Sequence, residues 1–226
     1  MTIALVLGAG RGTRLGRGTP KALRLLAGKP LLHYSLATLE TCPAVDAVIV
    51  VVPKDKVEQI RGATAGMALR KISAVIAGGV RRQDSVRIAL AACPAGTEWV
   101  AIHDAARPFA SADLFSRTIE RARQTGGAIA ALPVSDTIKR VQDHRILETL
   151  PRRDLWQAQT PQVFRPSELR AALALCAESG WEVTDDALAM ELAGHTVVVE
   201  ESDSTNFKIS TPADWARAER QLAGRP

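Results

Sequence analysis

Cysteine and histidine are too few and too scattered in this sequence to suggest a disulfide framework or a zinc site. The three cysteines, Cys42, Cys93 and Cys176, are odd in number and form no C-x-x-C pair. The four histidines are equally dispersed and lack the i, i+4 spacing of a zinc-binding pair. We therefore expect buried thiols and no protein-bound zinc.

Aromatic residues and long apolar runs are scarce as well. One Tyr, four Phe and four Trp form no ribbon of alternating aromatic and basic residues, which disfavours stacking on exposed bases. No apolar run approaches the roughly 20 residues that span a bilayer. The segment from Met1 to Leu7 has neither a charged n-region nor a cleavage site, so we expect no secretion signal, no membrane association and a cytoplasmic location.

Positive charge and apolar residues are plentiful. With 226 residues, of which 46% are hydrophobic, the chain is long enough for one large α/β domain, and we expect residues 1–226 to form a single domain. A formal charge of +5 predicts polyanionic partners. Because aromatic residues are few, small phosphate esters are favoured over nucleic acid as those partners.

A glycine-rich segment follows the first apolar run. Gly8, Gly10 and Gly12 lack a Cβ, so the backbone can turn sharply and bring its N–H groups close to phosphate oxygens. Arg14 can donate two hydrogen bonds to a phosphate, and Lys21 supplies a compact charge. The segment therefore predicts a triphosphate site.

Two common glycine-loop motifs are absent from this segment. The dinucleotide fingerprint G-x-G-x-x-G fails in every frame, and neither Lys21 nor Lys29 has the glycine spacing and following Ser or Thr of a Walker motif. A Rossmann dehydrogenase is disfavoured for the same reason. A surface loop with incidental basic residues remains an alternative.

Apolar runs alternate with helical patterns along most of the chain, which predicts a Rossmann-like α/β fold: a mostly parallel, mixed sheet with helices on both faces. The runs expected to form strands are Ile3–Leu7, Ala47–Val52, Lys71–Ala77, Trp99–His103 and Gly127–Leu132. The expected helices are Leu31–Thr41, Asp84–Ala92 with Asp84 as N-cap, Asp113–Gln124, Pro166–Ser179, Asp185–Ala193 and Pro212–Leu222.

Between Pro133 and Gln162 the pattern changes to short alternating pieces separated by polar residues. This predicts a β-hairpin that protrudes as an arm, over residues 134–160. Extended arms usually find a partner, so we expect a homodimer.

Three polar clusters follow predicted strands, at the sheet edge where open α/β proteins bind ligands. Besides the first loop, they are the Gly78–Ser85 segment and the Asp104–Pro108 segment. Ser85 could hydrogen-bond a sugar or base, or simply complete a glycine turn. Asp104 could hold Mg²⁺ directly or through water, or pair with Arg107 in a turn.

With these clusters in view, the chain resembles the 2-C-methyl-D-erythritol 4-phosphate cytidylyltransferase family over nearly its whole length. The matching blocks are Gly8-Ala-Gly-x-Gly-x-Arg14, Pro20-Lys21, Gly28-Lys-Pro-Leu, Gly78-Gly-x-x-Arg82-x-x-Ser85-Val, His103-Asp-Ala-Ala-Arg-Pro108, Asp136-Thr-Ile-Lys139, Thr160-Pro-Gln162, Thr184-Asp-Asp186 and Asn206-Phe-Lys208.

The resemblance implies a Mg²⁺-dependent transfer in which the phosphate of 2-C-methyl-D-erythritol 4-phosphate attacks the α-phosphate of CTP. It implies nucleotide contacts at Gly8, Ala9, Gly10, Gly79, Ser85 and Asp104, with Asp104 also beside the metal. The implied catalytic side chains are Arg14 and Lys21, on the α-phosphate, and Arg152 and Lys208. The implied acceptor-binding residues are Arg107, Thr137 and Thr184, and Arg152 and Lys208 also match acceptor positions. Thr137 and Arg152 would reach the neighbouring subunit of a dimer with exchanged arms.

Two departures from the family pattern and one ambiguity accompany this resemblance. Gly8 replaces a common alanine, and Val80 stands where an acidic residue often follows the double glycine, which removes one possible ribose contact. Arg152 and Arg153 are adjacent, and counting back from Leu155-Trp156 favours Arg152.

Two alternative functions use the same loop. Ribitol-5-phosphate cytidylyltransferases share it but usually vary the two alanines that stand here as Ala105 and Ala106. A non-catalytic nucleotide sensor or RNA-binding module would bind without releasing pyrophosphate.

Overall fold

A computed structural model describes residues 1–10, 19–67 and 69–224, and a central sheet organises them. Its strands are β1 (Thr2–Leu7), β4 (Ala47–Val52), β5 (Ile72–Ala77), β6 (Trp99–Asp104), β7 (Gly127–Pro133), β10 (Trp156–Phe164) and β11 (Val198–Glu201). Two small sheets pair β2 (Leu25–Leu26) with β3 (Lys29–Pro30) and β8 (Ile138–Gln142) with β9 (Arg145–Leu150). The helices are α1 (Leu31–Thr41), α2 (Val57–Ala65), α3 (Arg82–Ala91), α4 (Ala112–Thr125), α5 (Pro166–Glu178), α6 (Asp186–Leu192) and α7 (Pro212–Ala223).

The central sheet has the order β11-β7-β10-β6-β1-β4-β5 and is mostly parallel. Strand β10 runs antiparallel to both of its neighbours, whereas β1, β4, β5 and β6 pair in parallel. The predicted fold class is confirmed. Because parallel strands end at one edge, the loops after β1, β5 and β6 emerge side by side.

Both faces of the sheet are covered by helices, so its strands read as continuous apolar runs. In β1, Ala4 and Val6 pack toward α1 and α4, and Ile3 and Leu5 pack on the other face with α3 and α5. This alternation follows from the two-residue period of a strand. Helix α7 packs against Leu26 and neighbouring side chains in a third, smaller cluster.

Most predicted elements are present, with small shifts at their ends. Helix α1 and strand β4 have the predicted bounds. Asp84 was expected as an N-cap, but α3 begins two residues earlier. Its carboxylate instead accepts from the backbone N–H and side chain of Arg81, as in a capping box. Arg81 therefore precedes the helix, and Asp84 lies inside its first turn.

Sequence patterns missed helix α2, strand β11 and the role of β10. Helix α2 buries only Ile60 and Thr64, too few apolar positions for a clear period. Strand β11 is a short edge strand of two valines and two glutamates. The hairpin β8–β9 is present and largely exposed, but residues 156–160, expected in the arm, lie in β10 and its pairing with β7. Among the described residues, no helix is long and apolar enough to cross a membrane.

Candidate active site

A cleft of about 900 Å³ lies beyond the carboxyl ends of the parallel strands. The loops after β1, β5 and β6 all contribute to it, which confirms the predicted convergence of three strand ends. Eight of the predicted site residues line this cleft: Gly8, Ala9, Gly10, Lys21, Gly79, Ser85, Asp104 and Lys208.

Backbone groups form one wall of the cleft. Gly8 N–H donates to Val51 O at 2.7 Å, and Gly78 N–H donates to Val52 O at 2.8 Å, so the loops after β1 and β5 are tied to β4. A Cβ on Gly79 would lie 2.4 Å from the Cβ of Asp84, so close packing requires glycine there. A Cβ on Gly10 would meet no described atom within 4 Å, so packing of the described residues does not require glycine there.

Ser85 holds the turn that precedes α3. Its buried hydroxyl accepts from Gly79 N–H at 3.1 Å and donates to Arg81 O at 3.3 Å. Val80, between Gly79 and Arg81, is 97% exposed and lines the cleft. Ser85 therefore completes the glycine turn, which was one of its two predicted roles. Its hydroxyl proton is directed at Arg81 O, so a further contact would have to use the oxygen as acceptor.

Charged side chains form another wall of the cleft. Lys208 Nζ donates to Asp104 Oδ2 at 2.6 Å, and Arg82 Nε lies 3.6 Å from Asp104 Oδ1. Arg82 also donates through Nη2 to Oδ2 of the fully buried Asp186, at 2.7 Å. Two cations and two carboxylates thus alternate in this cluster, in which Arg82, Asp104 and Lys208 line the cleft and Asp186 is fully buried. The Asp104 side chain pairs with Lys208 and Arg82, and the turn with Arg107 is also present, as a bond from Arg107 N–H to the backbone oxygen of Asp104 at 2.9 Å.

The protonation states of this wall follow from burial and neighbouring charge. Burial by itself would raise the pKa of Asp104, but Lys208 and Arg82 outweigh it and hold that pKa far below its usual range. Burial raises the pKa of Asp186 despite Arg82. Burial lowers the pKa of His103 to about 4, so its imidazole is neutral near pH 7.

A second cavity of about 230 Å³ adjoins the cleft. Arg82, Asp104 and Lys208 line both the cleft and the second cavity, so these charged side chains are shared by the two. Two of the predicted acceptor residues, Arg107 and Thr184, line the second cavity. The Arg107 guanidinium is 9% exposed and donates to Asn206 O at 2.8 Å and to Ala158 O at 3.3 Å.

The two site lysines are connected through one chain segment. Lys21 Nζ donates to Ile209 O at 2.9 Å, and Ile209 N–H donates to Ala106 O at 2.8 Å. The residue before Ile209 is Lys208. The segment that carries Lys208 therefore orients Lys21 toward the same cleft.

Thr137 and Arg152 lie in the arm region and line neither cavity of this chain. Both are exposed, and Arg152 donates to the carbonyl of Ser135 at the base of the arm. Arg153 is also exposed and pairs only loosely with Asp154, at 3.7 Å. Arg14 and Gly12 lie outside the described residues.

Three residues without a predicted role shape the site. Arg82 bridges the two buried carboxylates, and His103 contacts Arg107 and Thr160, which line the second cavity. Gln162 accepts from the backbone of Asp186 and Ala187 and donates to Asp185, which fixes the start of α6. All three belong to motif blocks, and the blocks were their only signal in the sequence.

Asp104 is the carboxylate that best suits a divalent cation in this site. Among the described residues no three His, Cys, Asp or Glu side chains form a metal cluster. Mg²⁺, however, is commonly bound by one or two carboxylates together with substrate phosphates. An ionised carboxylate that lines the cleft, such as Asp104, fits that mode.

The parallel sheet, the backbone wall and the charged wall together define a Rossmann-like nucleotidyltransferase fold. The family model for IspD, 2-C-methyl-D-erythritol 4-phosphate cytidylyltransferase, matches residues 2–223. The chain belongs to this family.

Individual relatives agree with this assignment. The chain is 41% identical to 2-C-methyl-D-erythritol 4-phosphate cytidylyltransferase of Geotalea uraniireducens, over 97% of this chain and 95% of the relative. It is also 41% identical to the bifunctional enzyme IspD/IspF of Desulforudis audaxviator, and spans 57% of that longer protein. The 4-diphosphocytidyl-2C-methyl-D-erythritol synthase structure from Anaerococcus prevotii superposes with a TM-score of 0.87 at 28% identity, covering 98% of this chain and 96% of that one.

Proposed function

We propose that this protein transfers a cytidylyl group from CTP to 2-C-methyl-D-erythritol 4-phosphate, in isoprenoid precursor biosynthesis. The observation that carries the proposal is the charged wall shared by the two cavities. A nucleotide in the larger cleft and a phosphorylated acceptor in the smaller cavity would meet at Asp104, Arg82 and Lys208.

The proposed reaction is an in-line displacement. An acceptor phosphate oxygen attacks the α-phosphorus of CTP, a new P–O bond forms, and the bond to the bridging oxygen of the β-phosphate breaks, releasing pyrophosphate. A phosphate monoester dianion is itself a nucleophile, so no general base is required. Positioning and charge neutralisation then account for catalysis.

Individual residues have distinct roles in this proposal. The glycine wall, with Ser85 behind it, would hold the nucleotide, and Lys21 with Arg14 would neutralise charge that develops on the α-phosphate. Lys208, Arg107 and Thr184 would hold the acceptor phosphate and polyol. Asp104 would hold Mg²⁺, and when bound the cation supplies positive charge to the triphosphate oxygens.

The arm is proposed to complete the site of a second copy in a homodimer. Thr137 and Arg152 line neither of the two cavities described above; both are exposed, and Arg152 donates to the carbonyl of Ser135 at the base of an exposed hairpin. That hairpin exposes Val141, Ile146 and Leu147, which favours contact with another apolar surface. A cytoplasmic location is part of the same proposal, because charged phosphate esters do not partition into a bilayer.

Mixed dimers test arm exchange directly. Arg152→Ala and Lys208→Ala chains are each expected to be inactive alone. If the arm acts in the partner's site, a mixed dimer contains one intact site and recovers activity. Mixing without recovery, with dimers confirmed by sizing, would place Arg152 in its own subunit or outside the reaction.

Pyrophosphate release tests the function itself. The protein is incubated with CTP, Mg²⁺ and either 2-C-methyl-D-erythritol 4-phosphate or ribitol 5-phosphate, with no acceptor as the control. We expect release with the first acceptor only. Faster release with ribitol 5-phosphate would favour the alternative enzyme, and CTP binding without release would favour a nucleotide sensor.

A further inference from the structure

The imidazole of His103 is fully buried at the end of β6 and contacts three other segments of the chain. Its Nδ1 lies 3.0 Å from Thr160 Oγ1 in β10. Its Nε2 lies 3.2 Å from the carbonyl oxygen of Arg107 and 3.3 Å from Ser35 Oγ in α1. The ring thus connects the loop that carries Asp104 and Arg107 to strand β10 and helix α1.

The partners of the ring decide which nitrogen carries the proton. The Arg107 carbonyl can only accept a hydrogen bond, so Nε2 must be the protonated nitrogen of the neutral ring. Nδ1 is then an acceptor, and the Thr160 hydroxyl donates to it. The Thr160 oxygen in turn accepts from Asp104 N–H at 3.1 Å.

These bonds form a directional series from Asp104 N–H through Thr160 and His103 to the Arg107 carbonyl. A separate backbone bond, from Arg107 N–H to Asp104 O at 2.9 Å, closes the loop on its other side. The turn between the proposed metal-binding carboxylate and the proposed acceptor arginine is therefore held at both ends.

We propose that His103, through Thr160 and the Arg107 carbonyl, is a positioning residue that sets the distance between Asp104 and Arg107 and so the affinity for the acceptor phosphate. The proposal rests on the proposed function for its kinetic consequence. The hydrogen-bond series itself is independent of that function.

Nitrogen-15 NMR of the histidine ring tests the series in the wild-type protein. The long-range proton–nitrogen pattern distinguishes the two neutral tautomers. We expect His103 to be protonated at Nε2, assigned by the loss of its signals in His103→Gln. Protonation at Nδ1 would overturn the series, because the Arg107 carbonyl would then face a lone pair.

Two substitutions of His103 separate the ends of the series. His103→Asn keeps an oxygen near the position of Nδ1 but cannot reach the Arg107 carbonyl, whereas His103→Gln places an amide donor near Nε2. Losing one buried hydrogen bond corresponds to about tenfold in an equilibrium constant. We expect His103→Asn to raise the KM for the acceptor about tenfold with the KM for CTP changed less than threefold, and His103→Gln to restore most of that loss.

Thr160→Val interrupts the same series from the other side and provides a test if His103→Asn does not fold. It should raise the acceptor KM, and the double variant with His103→Asn should be no worse than the poorer single variant. Ser35→Ala is the matched control, because Ser35 contacts the ring but neither Asp104 nor Arg107. Equal changes in both KM values, or additive losses in the double variant, would show a general structural role and overturn the proposal.

Failure of the proposal and failure of the proposed function give different results. If wild-type protein releases no pyrophosphate but shows the Nε2 tautomer, the function is wrong and the series stands. If it is active, but the variants keep a normal acceptor KM, the function stands and the positioning role is wrong.

Discussion

The two walls of the cleft reach the same space by different physical means. The backbone wall is made of Gly8–Gly10 and Gly78–Gly79, whose tight turns require no charged side chain. The charged wall is made of Asp104, Lys208 and Arg82, and the fully buried Asp186 pairs with Arg82; the bonded partners are separated by 104 residues in the chain. The backbone wall depends on the absence of side chains, and the charged wall depends on an opposite charge beside each buried charge.

This difference predicts different failures. A side chain added to the backbone wall collides with neighbours or occupies ligand space. A side chain removed from the charged wall leaves an opposite charge buried without a partner, and that penalty exceeds the value of a typical surface ion pair. Substitutions in the charged wall should therefore affect folding as well as catalysis.

The largest expected effect on stability comes from Arg82→Ala. Asp186 would remain fully buried without its cation, so the free energy of unfolding should fall by about 3 kcal/mol, measured by urea denaturation. Arg87→Ala, on the exposed side of the same helix, is the matched control and should change it by less than about 0.5 kcal/mol. Adding Asp186→Asn to Arg82→Ala should recover part of the loss, and an unchanged double variant would contradict the charge explanation.

Lys21→Ala tests a cation that lines the cleft and is oriented by the carbonyl of Ile209. Loss of one charged donor to the transition state typically costs on the order of 10²–10³ in rate, so kcat should fall by that factor with folding intact. Lys29→Ala, exposed on β3 and outside both cavities, should retain activity. Near wild-type turnover of folded Lys21→Ala would remove Lys21 from the reaction.

Acidification should destabilise the protein through His103, which is buried next to the charged wall. The pKa of His103 falls from 6.5 to about 4 on folding. Between these two pH values the unfolded chain binds a proton at His103 and the folded protein does not. Stability is thus fully present above pH 6.5 and is lost as the pH falls toward 4. The loss amounts to about 3 kcal/mol at roughly 1.4 kcal/mol per pH unit.

The groups that face His103 keep their charge in this window. Asp104 has a lowered pKa and stays ionised, and burial lowers the pKa of Arg107 from an ordinary value of 12.5 that lies far above this window. Urea denaturation at pH 7 and pH 4.5 should therefore show a smaller loss for His103→Gln than for the wild type. Equal losses would assign the acid sensitivity to other groups.

The smallest predicted effects come from the backbone wall. Gly79→Ala brings a Cβ within 2.4 Å of Asp84 and should lower the free energy of unfolding by about 1–3 kcal/mol. Gly10→Ala meets no described atom and should leave stability unchanged while raising the KM for CTP. Equal losses of stability in the two variants would contradict the distinction between Gly79, which close packing requires, and Gly10, which is proposed to face the ligand.

The backbone wall could be predicted almost completely from the sequence. Gly8–Gly10 directly follows an apolar strand, and Gly78–Gly79 follows another, so local patterns place both at one sheet edge. The second cavity could not be predicted in this way. Arg82, Asp104, Gln162 and Lys208 come from four separate segments, and only the motif blocks suggested that they belong together.

The sequence by itself determined which strands are buried, where the glycine turns lie and the family. A strand's apolar run and a glycine's missing Cβ are local properties. Tertiary structure alone decided that Asp104 pairs with Lys208 and Arg82, that Arg107 is bound by backbone carbonyls, and that residues 156–160 join the central sheet. Pairing of buried charges depends on which distant segments fold against each other, and the desolvation cost selects among the partners that folding brings within reach.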